Sequence, residues 1–141
     1  MRDRTPAQSA ALLVGVVFVL VGILGFVPGI TTHFGDLSFA GHDSGAQLLG
    51  VFQVSVLHNL VHLLFGVAGI ALSRTWDGSR SYLLVGGLVY LVLWLVGMFS
   101  AMDWLPADVS DHWLHFVLGL GMIAVGYVLS RDREQRLRPA T

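Results

Sequence analysis

Apolar positions run along the chain in four long stretches parted by short polar connections. Ala10–Val27 is unbroken, Gln47–Ser73 carries a few interior polar residues, and Ser81–Met102 and His112–Ser130 complete the set. Each comes close to or exceeds the ~20 residues that a helix needs to cross a bilayer. The pattern predicts an all-α integral membrane four-helix bundle, with spans about 10–28, 47–73, 81–102 and 111–130 in one domain over 1–141. The first stretch ends in Phe26-Val27-Pro28-Gly29 without a small-residue cleavage pattern, so it reads as an uncleaved span.

The connections differ in character. Residues 30–46 form the longest, with His33, Asp36, His42 and Asp43 among glycines. Residues 74–80 make a short turn, and 103–111 a second acidic connection in which Ser110 or Asp111 would cap the last helix. The basic tail 131–141 would continue that helix for a turn or two.

Charge sorts these connections into two sets. All eight basic residues are arginines, at 2, 4, 74, 80, 131, 133, 136 and 138, and none lies in 30–46 or 103–111. The positive-inside rule then predicts a multi-pass membrane protein with both termini and the 74–80 turn cytoplasmic. The opposite face holds Asp36, Asp43, Asp103, Asp108 and Asp111, and all six histidines lie in that half or in the second and fourth spans.

Composition narrows the chemistry. Hydrophobic residues make up 55% and charged residues 12%, against about 25% charged in a soluble domain. With no cysteine, any metal would rely on histidine, carboxylate, methionine or backbone oxygen. Basic residues are few and confined to membrane edges, which argues against nucleic acid as a partner. The expected partners are the lipid bilayer and a larger membrane complex or a second copy of the chain.

An internal repeat runs through these stretches. Leu12-Leu13-Val14-Gly15 matches Leu83-Leu84-Val85-Gly86. Asn59-x-x-His62-x-x-x-Gly66 matches His112-x-x-His115-x-x-x-Gly119, and both helices end in Ser-Arg. Two tandem helical hairpins of one orientation imply a pseudo-two-fold axis along the membrane normal. Gly66, Gly69, Gly119 and Gly121 are the candidate close-packing positions, since small residues let helices approach in lipid. The strings His58-Asn59-Leu60-Val61-His62-Leu63-Leu64-Phe65-Gly66 and Asp111-His112-Trp113-Leu114-His115-Phe116-Val117-Leu118-Gly119 resemble a family of small actinobacterial membrane proteins catalogued as a domain of unknown function. The resemblance covers about residues 8–130 and implies a four-helix protein of the bacterial plasma membrane, with no activity attached.

The histidines carry the remaining chemistry. His58 and His62 share a helix face at i,i+4, as do His112 and His115 at i,i+3. If the second and fourth spans approach, two or three imidazoles converge in one half of the bundle. They would then hydrogen-bond between helices, to Asn59, Gln53, Ser55 or a carbonyl, or hold a transition metal. Asn59, Asp111, His33 and His42 are supporting candidates. A b-type haem with His62 and His115 as axial ligands is a further alternative, although no arginine stands on that side to pair with propionates. No catalytic constellation emerges: there is no phosphate loop, nucleophile elbow or zinc-protease motif. The sequence therefore favours a non-enzymatic accessory or scaffold subunit, with a metal- or haem-binding protein next and a small cation or proton transport component third.

Overall fold

A computed structural model of the protein describes residues 4–41, 43–99 and 109–137. Four α-helices dominate it: α1 (Pro6–Leu24), α2 (Val56–Leu72), α3 (Trp76–Phe99) and α4 (Val109–Leu137). α1 opens with a capping box. Thr5 Oγ1 accepts from the Gln8 amide, and the Thr5 amide donates to Gln8 Oε1 at 3.1 Å. The same Gln8 reaches across with Nε2 to the carbonyls of Ser73 (3.2 Å) and Arg74 (3.0 Å). Carbonyls left over at the end of α2 thereby gain a partner, and the two helices are tied where the chain turns.

The apolar stretch beginning at Gln47 does not become helix at once. Residues 31–53 contribute a three-stranded antiparallel sheet in the order β1 (Thr31–Thr32), β2 (Gln47–Leu48), β3 (Phe52–Gln53). Thr31 faces Leu48, and Leu48 in turn faces Phe52. Leu49 (φ 54) and Gly50 (φ 70) reverse the chain between β2 and β3, and Ser55 then caps α2 with its side chain on the His58 amide. The predicted span at 47–73 therefore shortens to a helix of 17 residues, about 25 Å long. A glycine-supported turn and a serine cap override the continuity of the apolar run.

Together with residues 25–41 and 43–46, these strands form a cap over one end of the bundle. Its own small core of Ala46, Leu48 and Val54 packs against Val21 and Leu24 of α1. Polar groups inside it are paired: Ser44 Oγ donates to the Val54 carbonyl at 2.5 Å, Thr31 Oγ1 to that of Leu24, and Gln53 Nε2 to that of Ser44. The long connection is thus a folded element rather than a loose loop.

α3 starts at Trp76, ahead of the expected 81, because Thr75 Oγ1 accepts from the Gly78 amide and nucleates the turn there. α4 begins at Val109, so Ser110 and Asp111 lie inside its first turn rather than ahead of it. It continues through the basic segment to Leu137. Arg4, Arg74, Arg80 and the 131–137 segment lie at the end of the bundle away from the cap.

α1, α3 and α4 each hold a segment long and apolar enough to cross a membrane, at Pro6–Leu24, Trp76–Met98 and Asp111–Leu129; α2 is the shorter apolar helix. Large side chains such as Leu13, Leu64, Val85 and Val117 are exposed along all four. Such a surface suits a membrane-embedded protein, where lipid rather than water covers it. α1 pairs with α2 and α3 with α4, and the two hairpins meet chiefly where α1 touches α3.

Candidate functional site: a ring cluster joining four helices

Each hairpin closes on a glycine crossing. A Cβ on Gly66 would lie 2.7 Å from the Gly15 carbonyl oxygen, and one on Gly119 2.9 Å from that of Gly87. Backbones this close leave no room for a side chain, which is the packing that small residues permit in lipid. One turn toward the cap from each crossing, the histidine of that helix meets an aromatic ring. His62 of α2 stacks on Phe18 of α1, with centroids 5.4 Å apart at 18°. His115 of α4 meets Tyr90 of α3 edge to face at 5.2 Å and 62°.

Phe18 and Tyr90 also stack on each other, 5.3 Å apart at 27°. His58, in the first turn of α2, lies 4.5 Å from His62 and 6.4 Å from His115, ring centroid to ring centroid. His62, Phe18, Tyr90, His115 and His58 thus form a closed circuit of rings drawn from all four helices. Phe65 joins it, edge-on to both Phe18 and Tyr90. The sequence pointed to the histidines of this circuit. It did not single out Phe18 or Tyr90, whose only signal was their place three residues after Gly15 and Gly87.

A third contact recurs toward the cap. The Asn59 side chain packs on Gly25, and the His112 ring packs on Gly97. His112 is therefore committed to α3 and stands outside the circuit. Asn59 is fully buried, and neither its Oδ1 nor its Nδ2 has a hydrogen-bond partner among the described residues. His62 Nδ1 is likewise buried without a hydrogen-bond partner among the described residues. Of the side-chain partners expected for the histidines, Ser55 caps α2, Gln53 bonds the cap and Asn59 packs on Gly25. The ring contacts of this imidazole are with Phe18 and His58.

The supporting candidates fall apart spatially. Asp111 is buried in the first turn of α4, where the helix dipole favours a carboxylate. His33 is exposed in the cap in a left-handed conformation (φ 50). His42 lies outside the described residues. Gly69 backs onto the Tyr82 ring and the Gly15 backbone, whereas no described residue lies within 4 Å of a Cβ placed on Gly121. Among the described residues, no three histidine, cysteine or acidic side chains are grouped as ligands for one metal ion.

Comparison with known proteins places the chain in a family. Residues 8–128 match the family model described as Domain of unknown function (DUF4383), and the chain belongs to that family. No curated protein and no solved structure matches it.

Proposed function

We propose that this DUF4383 member is a non-enzymatic membrane scaffold or accessory subunit whose histidines organise helix packing. The observation that carries the reading is the ring circuit, in which His62 and His115 each lie against the aromatic side chain of a neighbouring helix. Aromatic pairs of this kind contribute about 0.5–1.5 kcal/mol each beyond their burial. One internal structural logic supports the pseudo-two-fold arrangement. Gly15, Phe18 and Gly25 meet Gly66, His62 and Asn59, while Gly87, Tyr90 and Gly97 meet Gly119, His115 and His112. The register these contacts favour pairs Gly15 with Gly87, one residue beyond the Leu12–Gly15 and Leu83–Gly86 match. Placement in a bacterial plasma membrane with cytoplasmic termini draws support from the arginines gathered at the end away from the cap.

The second reading, a metal- or haem-binding protein, has the convergence of His58, His62 and His115 in its favour. One preparation separates the two. Detergent-purified protein, expressed with metals and haem supplied, is examined by absorption spectroscopy and elemental analysis beside a His62→Ala/His115→Ala variant. The scaffold reading expects colourless, metal-free protein that self-associates or co-purifies with a larger complex, and a variant of lower stability. A Soret band or stoichiometric metal that the variant loses would replace it with the binding reading.

A further inference from the structure

The cap presents three large apolar side chains outward: Phe39 is 69% exposed, Leu49 67% and Val51 48%. Leu49 is the least expected of them. It occupies a left-handed backbone conformation (φ 54) that a branched side chain adopts only at a cost, and it gains no burial in return. Neither the local fold nor the cap core accounts for a leucine there.

The helix beneath the cap supplies the reason. α2 has 17 residues and spans about 25 Å, some 5 Å less than a hydrocarbon core of about 30 Å. A helix end placed below the water surface must have its free N–H groups satisfied by protein. Here they are: the Val56 amide donates to the Ser38 carbonyl at 3.0 Å and the Leu57 amide to that of Phe39 at 2.9 Å. The His58 amide donates to Ser55 Oγ at 3.2 Å. The start of α2 is therefore sealed by the cap without help from water. The segment that seals it carries the exposed Phe39, whose carbonyl takes the Leu57 amide about one turn before the exposed Leu60.

We propose that the cap lies in the interfacial layer of the bilayer, with Phe39, Leu49 and Val51 entering the lipid and completing the apolar belt over the short helix α2. The occupant of this surface is lipid, because the helix the cap seals is too short for the hydrocarbon core and itself exposes Leu60, Val61 and Leu64. The proposal rests on the membrane-embedded reading of the helices.

The chain has no cysteine, so single-cysteine variants can carry a nitroxide label without background. Phe39→Cys, Leu49→Cys and Val51→Cys are labelled in phosphatidylcholine–phosphatidylglycerol vesicles, beside Leu64→Cys on α2 and Asp43→Cys in the cap. Accessibility to oxygen is compared with accessibility to a water-soluble nickel complex. The expected oxygen-to-nickel ratio at 39, 49 and 51 is severalfold above that at 43 and approaches that at 64. Ratios at all three equal to that at 43 would overturn the proposal while a high ratio at 64 leaves the membrane reading standing. A low ratio at 64 would overturn both. Exclusion of both probes from 39, 49 and 51 would show a protein partner on the surface and overturn the lipid assignment.

Discussion

Phe18 of α1 stacks on Tyr90 of α3 with ring centroids 5.3 Å apart, and through this pair the two hairpins share one core. Each of the two rings also holds the histidine of its own hairpin, so the stack lies at the middle of a chain running His62, Phe18, Tyr90, His115. Lipid offers no hydrophobic drive to bring hairpins together, and shape-matched ring contacts take over that role.

Phe18→Ala should accordingly lower stability by about 3 kcal/mol, the scale of a large-to-small change in a packed core. Tyr90→Phe keeps the ring and should be close to neutral, whereas Tyr90→Ala should match Phe18→Ala. Reversible unfolding in mixed micelles with increasing denaturing detergent reads all three. A Phe18→Ala variant as stable as the parent would mean that the hairpins are held together elsewhere.

The glycine crossings make a paired prediction. Gly66→Ala would drive a methyl to 2.6 Å from the Val19 amide nitrogen and 2.7 Å from the Gly15 oxygen, both backbone atoms that cannot swing away. Forcing the helices apart should cost about 1–3 kcal/mol. Gly121→Ala meets only open space and should leave stability unchanged or raise it slightly, since alanine is the better helix former. The thermal aggregation midpoint should fall for Gly66→Ala and hold or rise slightly for Gly121→Ala.

Gln8→Ala removes both side-chain hydrogen bonds that tie α1 to the end of α2. Its effect should be about 1 kcal/mol, and local. Hydrogen exchange is the appropriate readout: amides in the last turn of α2 and the Ser73–Thr75 turn should exchange faster, with the middle of α2 unaffected.

Ser55→Ala takes the cap from α2 and exposes the His58 amide. A loss of about 1 kcal/mol is expected from an N-cap deletion. Because the neighbouring amides are held by Ser38 and Phe39, the loss should appear with increased exchange in the cap itself. An effect confined to α2 would argue that cap and helix fold independently.

How much of this was legible beforehand varies with the range of the interaction involved. The helices were legible because apolar runs and membrane thickness are both local, one-dimensional quantities. The start of α2 was not, because the run from Gln47 is as apolar as a span and only the turn at Leu49–Gly50 and the cap at Ser55 divide it. His58, His62 and His115 could be nominated from their spacing on helix faces. Their use could not be predicted, since an imidazole that stacks and one that hydrogen-bonds occupy the same sequence position.

The amino-acid order alone determined the number of helices, the gathering of arginines at one end, and the glycine and histidine rows on α2 and α4. These follow from periodicity and charge, which each helix carries by itself. Only the tertiary structure decided that Gly15 faces Gly66 and that Gly87, rather than Gly86, faces Gly119. It alone placed Phe18 against Tyr90 and turned His112 away toward Gly97. Such choices depend on the rotation and height of one helix against another. A shift of one residue rotates a side chain by about 100°, a difference that an apolar string does not record but a close-packed crossing does.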